Sequence, residues 1–266
     1  METSALLKHI EAVTVAAGEK LLSQTVTVNS HKTKNDLLTE NDLVIENFII
    51  AKLTEVYPRL HIVSEEYNPD NTLDEGYTVV IDPIDGTCNF AVGMSLYGVQ
   101  LALFCEGVCV GAVIYFPETK ELLTAEKGKG AYLNGKPLTV NKSAKPSDGM
   151  LFISDYYDSI DIPLDFQFDL VKGLQSTFLK TRHFGAACVD FSMIAKGHGL
   201  AYITHYHKLW DIAPGLLIAT EAGCVFGAVD RPTYEYGRPG LALANSPETL
   251  ERILSLAASL REKKAY

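Results

Sequence analysis

The chain has 266 residues, 47% hydrophobic and 21% charged, an ordinary globular balance that suffices for one large core or two tightly packed halves. Its net charge of −10 at pH 7 argues against nucleic acid or an anionic membrane surface as a partner. No run approaches the roughly 18 uninterrupted apolar residues of a membrane-spanning helix, and the scattered Cys88, Cys105, Cys109, Cys188 and Cys224 form no CxxC pair, so reduced thiols in a cytoplasmic protein are expected.

No linker, repeat or low-complexity tract interrupts the chain, so residues 1–266 are expected to form a single domain whose halves meet near 145–150. The first residues lack a basic region followed by an apolar stretch, and no signal peptide is expected. Leu6, Ile10, Val13, Ala17 and Leu21 instead fall at helical spacing. Next comes Asp36-Leu37-Leu38-Thr39-Glu40-Asn41-Asp42, in which Thr39 to Asp42 reads as a capping box. It would open a helix over 43–53, with Leu43, Phe48, Ile49 and Leu53 toward a core.

The apolar run Leu60-His61-Ile62-Val63 reads as a strand ending at Ser64-Glu65-Glu66, the kind of strand end where α/β proteins place ligand sites; alone, two such acids are usually a solvated loop. A second strand, Tyr77-Thr78-Val79-Val80-Ile81, meets Asp82-Pro83-Ile84-Asp85-Gly86-Thr87. Pro83 lacks an N–H and restrains its predecessor, so the strand is expected to stop at Asp82, with Asp82 and Asp85 converging on one point. Gly86 permits close backbone approach, and the N–H groups around Gly86 and Thr87 can form an anion nest. The segment offers oxygens to a hard cation and donors to a phosphate. Its plain alternative is a type I turn with solvated acids.

Residues 99–104 and 108–115 read as a hairpin turning at Glu106-Gly107, with Cys105 and Cys109 as filler. Gly128-Lys129-Gly130 lacks the spacing of a phosphate loop. Asn134-Gly135 is a hairpin turn between Ala131-Tyr132-Leu133 and Pro137-Leu138-Thr139-Val140. His205-Tyr206-His207 reads as a loop or pocket wall, since a transition-metal site would need a third ligand that is not evident. Trp210-Asp211-Ile212-Ala213-Pro214-Gly215 opens a buried helix over 216–222 that Gly223 closes, with Asp211 as N-cap and Pro214 in the first turn. The order of these blocks suggests layered α+β or α/β packing rather than a simple doubly wound sheet.

Taken in order from about Lys32 to Asn245, and with Gly128 to Gly135 and Gly185-Ala186-Ala187-Cys188-Val189-Asp190 added, these motifs resemble the inositol monophosphatase family of magnesium-dependent, lithium-sensitive phosphatases. The resemblance implies an αβαβα sandwich, a homodimer, and a small phosphorylated metabolite as substrate, inositol monophosphate foremost. It also implies two to three Mg²⁺ ions per site. Glu65, Asp82 and the Ile84 carbonyl would hold one, and Asp82, Asp85 and Asp211 the second, with a weaker third near Glu65. Thr87, Asp42 and Glu65 would activate the attacking water. Ile84, Asp85, Gly86, Thr87, Gly185, Ala186, Ala187, Thr204 and Asp211 would bind substrate, and Asp190 would start a helix over 191–196.

The chemistry agrees with that implication. A phosphate monoester dianion repels nucleophile and carboxylates alike. Mg²⁺ favours octahedral oxygen ligands, and two ions about 3.5–4 Å apart stabilise both attacking and leaving oxygens. The chain departs from the family at Thr204, where a Glu would reach ring hydroxyls, and neither Lys32 nor Lys34 has the spacing of the family's lysine. Phosphoadenosine phosphate, fructose bisphosphate, histidinol phosphate and dinucleotide phosphates are therefore alternative substrates. A metal-dependent regulatory or interaction protein is the non-enzymatic alternative.

Overall fold

The helical spacing near the amino terminus forms α1, Thr3–Leu22, with Leu6, Ile10, Val13, Ala17 and Leu21 all buried. The computed structural model describes residues 3–26, 28–33, 36–69, 73, 76–157, 159, 161–236 and 238–264. The side chain of Lys32 and the whole of Lys34 lie outside the described residues. An antiparallel pair, β1 (Val28–Thr33) and β2 (Asp36–Thr39), leads into α2 (Glu40–Val56). The capping box between Thr39 and Asp42 is present.

The next strands are β3 (His61–Ser64) and β4 (Tyr77–Asp85), followed by a short helix α3 (Thr87–Ala91). Then come β5 (Gly98–Cys105), β6 (Val108–Phe116), β7 (Glu121–Glu126), β8 (Ala131–Leu133) and β9 (Lys136–Leu138). Strands β3 to β9 lie in chain order in one seven-stranded sheet, parallel between β3 and β4 and antiparallel elsewhere. Both expected hairpins form. Glu106 and Gly107 have φ of 50° and 74°, and Asn134 and Gly135 48° and 75°, the paired positive angles that match strand twist.

The second sheet begins with β10 (Met150–Ile153), followed by α4 (Leu164–Leu174), β11 (Lys180–Arg182) and α5 (Ala187–Ala195). It continues with β12 (Ala201–Thr204), α6 (Leu209–Glu221), β13 (Val225–Ala228), β14 (Leu241–Ala244) and α7 (Pro247–Lys264). Its strand order is β11-β10-β12-β14-β13.

Alternation along the strands stacks the layers. On β4, Val79 and Ile81 pack with α1 and α2, while Val80 faces the cluster that holds α5 and α6. On β12, Tyr202 joins that same central cluster, while Ala201 and Ile203 pack with α4 and α7. Two helices, a sheet, two helices, a sheet and two helices make the expected αβαβα sandwich.

Four local expectations are corrected. Strand β4 does not stop at Asp82 but runs to Asp85, because a bulge there accommodates Pro83: Asp82 faces Gln100 and Asp85 faces Gly98, so β4 carries one extra residue. Helix α6 starts at Leu209, so Lys208 is its N-cap, Asp211 its third residue and Pro214 lies inside the helix. Helix α5 starts at Ala187, so Asp190 sits within it. Helix α2 spans Glu40–Val56 rather than 43–53, and its buried stripe runs through Asp42, Ile45, Glu46, Ile49 and Leu53; Phe48 packs against that core as expected, while Leu43 is only half-buried.

Helices α5 and α6 touch through Gly215. A Cβ there would lie 2.4 Å from the Phe191 ring and 2.6 Å from its Cβ. Gly215→Ala is expected to cost about 1–3 kcal/mol by overpacking, and each kcal/mol lowers the Tm of a chain this size by roughly 2–4 °C. Thermal melting checks it; an unchanged Tm contradicts it.

Candidate active site

The β4 bulge aims its acids at one place. The Ile84 N–H donates to Asp82 Oδ1 at 3.2 Å, and Gln100 Nε2 donates to Oδ2 at 3.3 Å. Gly86 then turns the chain with φ of 89°, and a Cβ there would lie 2.8 Å from the Leu96 carbonyl oxygen and 2.9 Å from Ala186 Cβ. Only glycine allows this approach. It brings Asp85 to the start of α5, where its carboxylate accepts the Ala187 N–H at 3.3 Å and the Cys188 N–H. The cap residue of α5, Ala186, offers no side-chain acceptor, so Asp85 caps that helix from the other sheet.

Glu65, Asp82, Ile84, Asp85, Gly86, Thr87, Gly185, Ala186, Ala187, Thr204 and Asp211 all line one cavity of about 620 Å³. Asp42 lies behind it rather than on its wall. It accepts from Thr87 Oγ at 3.2 Å through Oδ1, while Oδ2 takes the Thr39 N–H and hydroxyl at 2.8 and 2.6 Å. Capping and contact with Thr87 thus coexist on one carboxylate. Thr87 Oγ also lies 2.8 Å from the Ile84 carbonyl, so its single proton chooses between two acceptors.

The acids are crowded. Asp82, only 2% exposed, has its carboxyl held well above the usual carboxylate range by burial first, then by Glu65, Asp85 and Asp211. Burial also raises Asp85, against the hydrogen bonds from Cys188 and Ala187. Among the described residues no three acid, His or Cys side chains stand close enough to share one metal ion as placed. Asp85 is turned to α5, and Asp211 Oδ2 takes the Lys208 N–H at 2.7 Å. The donors nonetheless suit Mg²⁺: they are hard oxygens, each carboxylate keeps lone pairs beyond those used, and Lys208 is the single Lys or Arg among the lining residues.

Several residues here escaped the sequence reading. Glu46 is fully buried and accepts the Glu66 and Tyr67 N–H groups at 3.0 and 2.8 Å, which fixes the loop carrying Glu65. Its signal was its place one turn after Asp42 on the buried stripe. Ser154 and Asp155 line the cavity just after the apolar β10, the same strand-end signal that marked Glu65. Asp190 and Tyr202 line the cavity too, and Tyr206 and His207 line it as the pocket-wall reading of His205-Tyr206-His207 expected. His205 and His207 are both driven down to about 3 by burial, so both rings are neutral. His205 stacks on Tyr156, and His207 bonds the Tyr234 hydroxyl at 2.8 Å. Gly128 and Gly130 do bind an anion, but it is the Glu221 carboxylate, at 2.8 Å from each N–H.

The fold and site define the class as a layered αβαβα protein with an acid-lined ligand cavity. The model of the inositol monophosphatase family matches residues 2–262, and the chain belongs to that family, whose members are generally metal-dependent phosphatases. It is similar to an inositol monophosphatase of Dictyostelium discoideum, 34% identical over 198 residues that cover 73% of each chain. A fructose-1,6-bisphosphatase of Pyrococcus furiosus is 31% identical over 215 residues, 78% of each chain. The Nus factor SuhB of Escherichia coli K12 is 30% identical over 228 residues, 85% of this chain and 84% of that one. In fold, the chain matches the Thermotoga maritima inositol monophosphatase TM1415 with a TM-score of 0.84 at 23% identity, over 95% of this chain and 96% of that one. No helix among the described residues is long and apolar enough to cross a membrane.

The raised Asp82 carboxyl has a pH consequence. Folded protein holds this proton more tightly than unfolded chain, whose value is the ordinary 3.8. Its stabilising contribution is present below that value and is lost as pH rises through the folded one. Without divalent metal, Tm is expected to fall as pH rises above the ordinary carboxylate range toward the raised folded value, and to fall less in Asp82→Asn. Mg²⁺ should raise Tm in wild type and not in the variant. Melting curves with chelator and with Mg²⁺ check both; equal pH slopes in the two proteins contradict the assignment.

Proposed function

We propose that the protein is a Mg²⁺-dependent phosphomonoesterase acting on a small phosphorylated metabolite, with inositol monophosphate as the leading substrate. The observation that carries the reading is the convergence of Glu65, Asp82, Asp85 and Asp211 on one cavity beside the Thr87–Asp42 hydrogen bond. Glu65, Asp82 and the Ile84 carbonyl would hold one ion, and Asp82, Asp85 and Asp211 a second. Bound there, the ions would acidify water and offset the charge of the phosphoryl group.

The protein's own groups do the rest. Thr87 Oγ would receive a proton from the attacking water while its own proton passes to Asp42 Oδ1, Glu65 would orient that water, and the alcohol oxygen released as its bond to phosphorus breaks would take a proton from solvent in the cavity. The N–H groups of Gly86 and Thr87 are donors for the phosphate. Gly185, Ala186 and Ala187 bring small side chains to the wall, which leaves room for a ring. Both halves of the chain line the cavity, which supports reading residues 1–266 as one catalytic domain. A homodimer and a cytoplasmic location belong to the same proposal.

A second reading, as a metal-dependent regulatory or interaction protein, is favoured by the name of the Escherichia coli relative, a Nus factor. The net charge of −10 weighs against nucleic-acid contact in such a role.

Phosphate release with and without Mg²⁺, over inositol phosphate, fructose bisphosphate, nucleotide and histidinol phosphate substrates, tests the first reading. Asp85→Asn is expected to abolish turnover, and Thr87→Val to lower kcat by about 10²-fold or more. Release that is indifferent to chelator, or near-normal turnover in Asp85→Asn, contradicts the proposal.

If the second ion site is built as proposed, Li⁺ should inhibit uncompetitively, since a product-bound state is what it would stabilise. A Li⁺ titration at several substrate concentrations, with Na⁺ as control, checks this. Equal responses to the two ions contradict it.

A further inference from the structure

The same cavity holds a buried acid that neither the fold nor the proposed chemistry employs. Asp190, on α5, is 1% exposed, and its Oδ1 is buried with no hydrogen-bond partner among the described residues. Asp82, Asp85 and Asp211, by contrast, each accept N–H donors. A buried carboxyl oxygen without a donor is costly and rare. Asp190 lines the cavity beside Tyr202 and Thr204, where a bound molecule can supply what the protein does not.

Thr204 sharpens the chemistry. Its hydroxyl donates to the Tyr206 carbonyl at 3.1 Å, so the side chain offers lone pairs rather than a proton to a ligand. Thr204 and Asp190 are then acceptors on one wall. Asp85 and Asp155 add negative charge around Asp190. A second phosphate at this end would meet three acids. A hydroxyl or an ammonium would meet acceptors.

We infer that Asp190 is the specificity-determining residue for the leaving group, accepting a hydrogen bond from a hydroxyl or ammonium on the alcohol that the ester releases. The inference rests on the phosphomonoesterase reading. It gives that reading a substrate class, a monophosphate ester of a donor-bearing alcohol, and disfavours bisphosphates.

The test compares kcat/KM for inositol 1-phosphate, phosphoethanolamine, fructose 1,6-bisphosphate and phenyl phosphate in wild type, Asp190→Leu and Asp190→Asn, with thermal melting of each. Wild type is expected to prefer one of the first two esters, and which one tells hydroxyl from ammonium. Asp190→Leu should lower the ratio of the preferred ester to phenyl phosphate by about tenfold or more, the scale of one hydrogen bond to a buried polar group. Asp190→Asn keeps an acceptor oxygen and should fall in between. If the leucine variant does not fold, the asparagine variant carries the comparison, with a loss of about threefold expected.

Equal losses on preferred and phenyl esters make Asp190 merely structural and overturn the inference, as does an unchanged ratio or a wild-type preference for phenyl phosphate or the bisphosphate. If wild type hydrolyses no ester, the phosphomonoesterase reading alone fails. Calorimetric affinities of the same four compounds with Mg²⁺ then read the Asp190 ratio directly, and equal affinity ratios in wild type and the leucine variant overturn it.

Discussion

Asp82 is a carboxylate 2% exposed, surrounded by Glu65, Asp85 and Asp211, and much of the molecule is arranged around that crowding. Like charges in a desolvated space oppose folding, and a protein tolerates them where something else supplies the opposite charge. The surroundings go only part of the way. Gln100 and the Ile84 N–H hold Asp82, two helix N–H groups hold Asp85, and the Lys208 N–H holds Asp211. Each is a neutral donor that orients a carboxylate without neutralising it. A divalent cation is the simplest remaining source of charge.

The same interaction joins the two sheets. Asp85 leaves β4 in the first sheet and caps α5, which packs in the layer between the sheets. Gly86 makes this possible because the space a Cβ would need is already filled by the Leu96 carbonyl and Ala186. The start of α5 therefore cannot shift without moving an acid of the site. Asp42 plays the corresponding part on the outer layer, capping α2 and meeting Thr87 with its other oxygen. In both places helix capping and the candidate chemistry share a carboxylate, which is why a capping explanation of these residues never excluded a functional one.

Sequence reasoning succeeded where a local rule and the tertiary fold agree. The two positive-φ hairpins, the buried stripe of α1 and the acids at strand ends were legible because period, turn chemistry and strand termination each leave a signal within a few residues. It failed where a neighbour overrides the local rule. Pro83 ends a regular strand, but a bulge gives it a position that needs no N–H, so β4 continues to Asp85. Asp211 looks like an N-cap from its own segment, yet the helix extends back to Leu209 through Trp210, which packs in the central cluster. Asp190 and Glu46 were least visible, since a buried acid inside an amphipathic helix is defined only by what surrounds it in space.

The central claim is that Glu65, Asp82, Asp85 and Asp211 become metal ligands when cations are present. Anomalous diffraction from crystals grown with Mn²⁺ and inorganic phosphate tests this most directly, because Mn²⁺ accepts the same oxygen donors as Mg²⁺ and is located without ambiguity. The expected result is two peaks sharing Asp82, one beside Glu65 and the Ile84 carbonyl and the other between Asp85 and Asp211. Peaks confined to other surfaces, or a cavity in which the carboxylates keep their N–H partners and bind no ion at millimolar Mn²⁺, would contradict it.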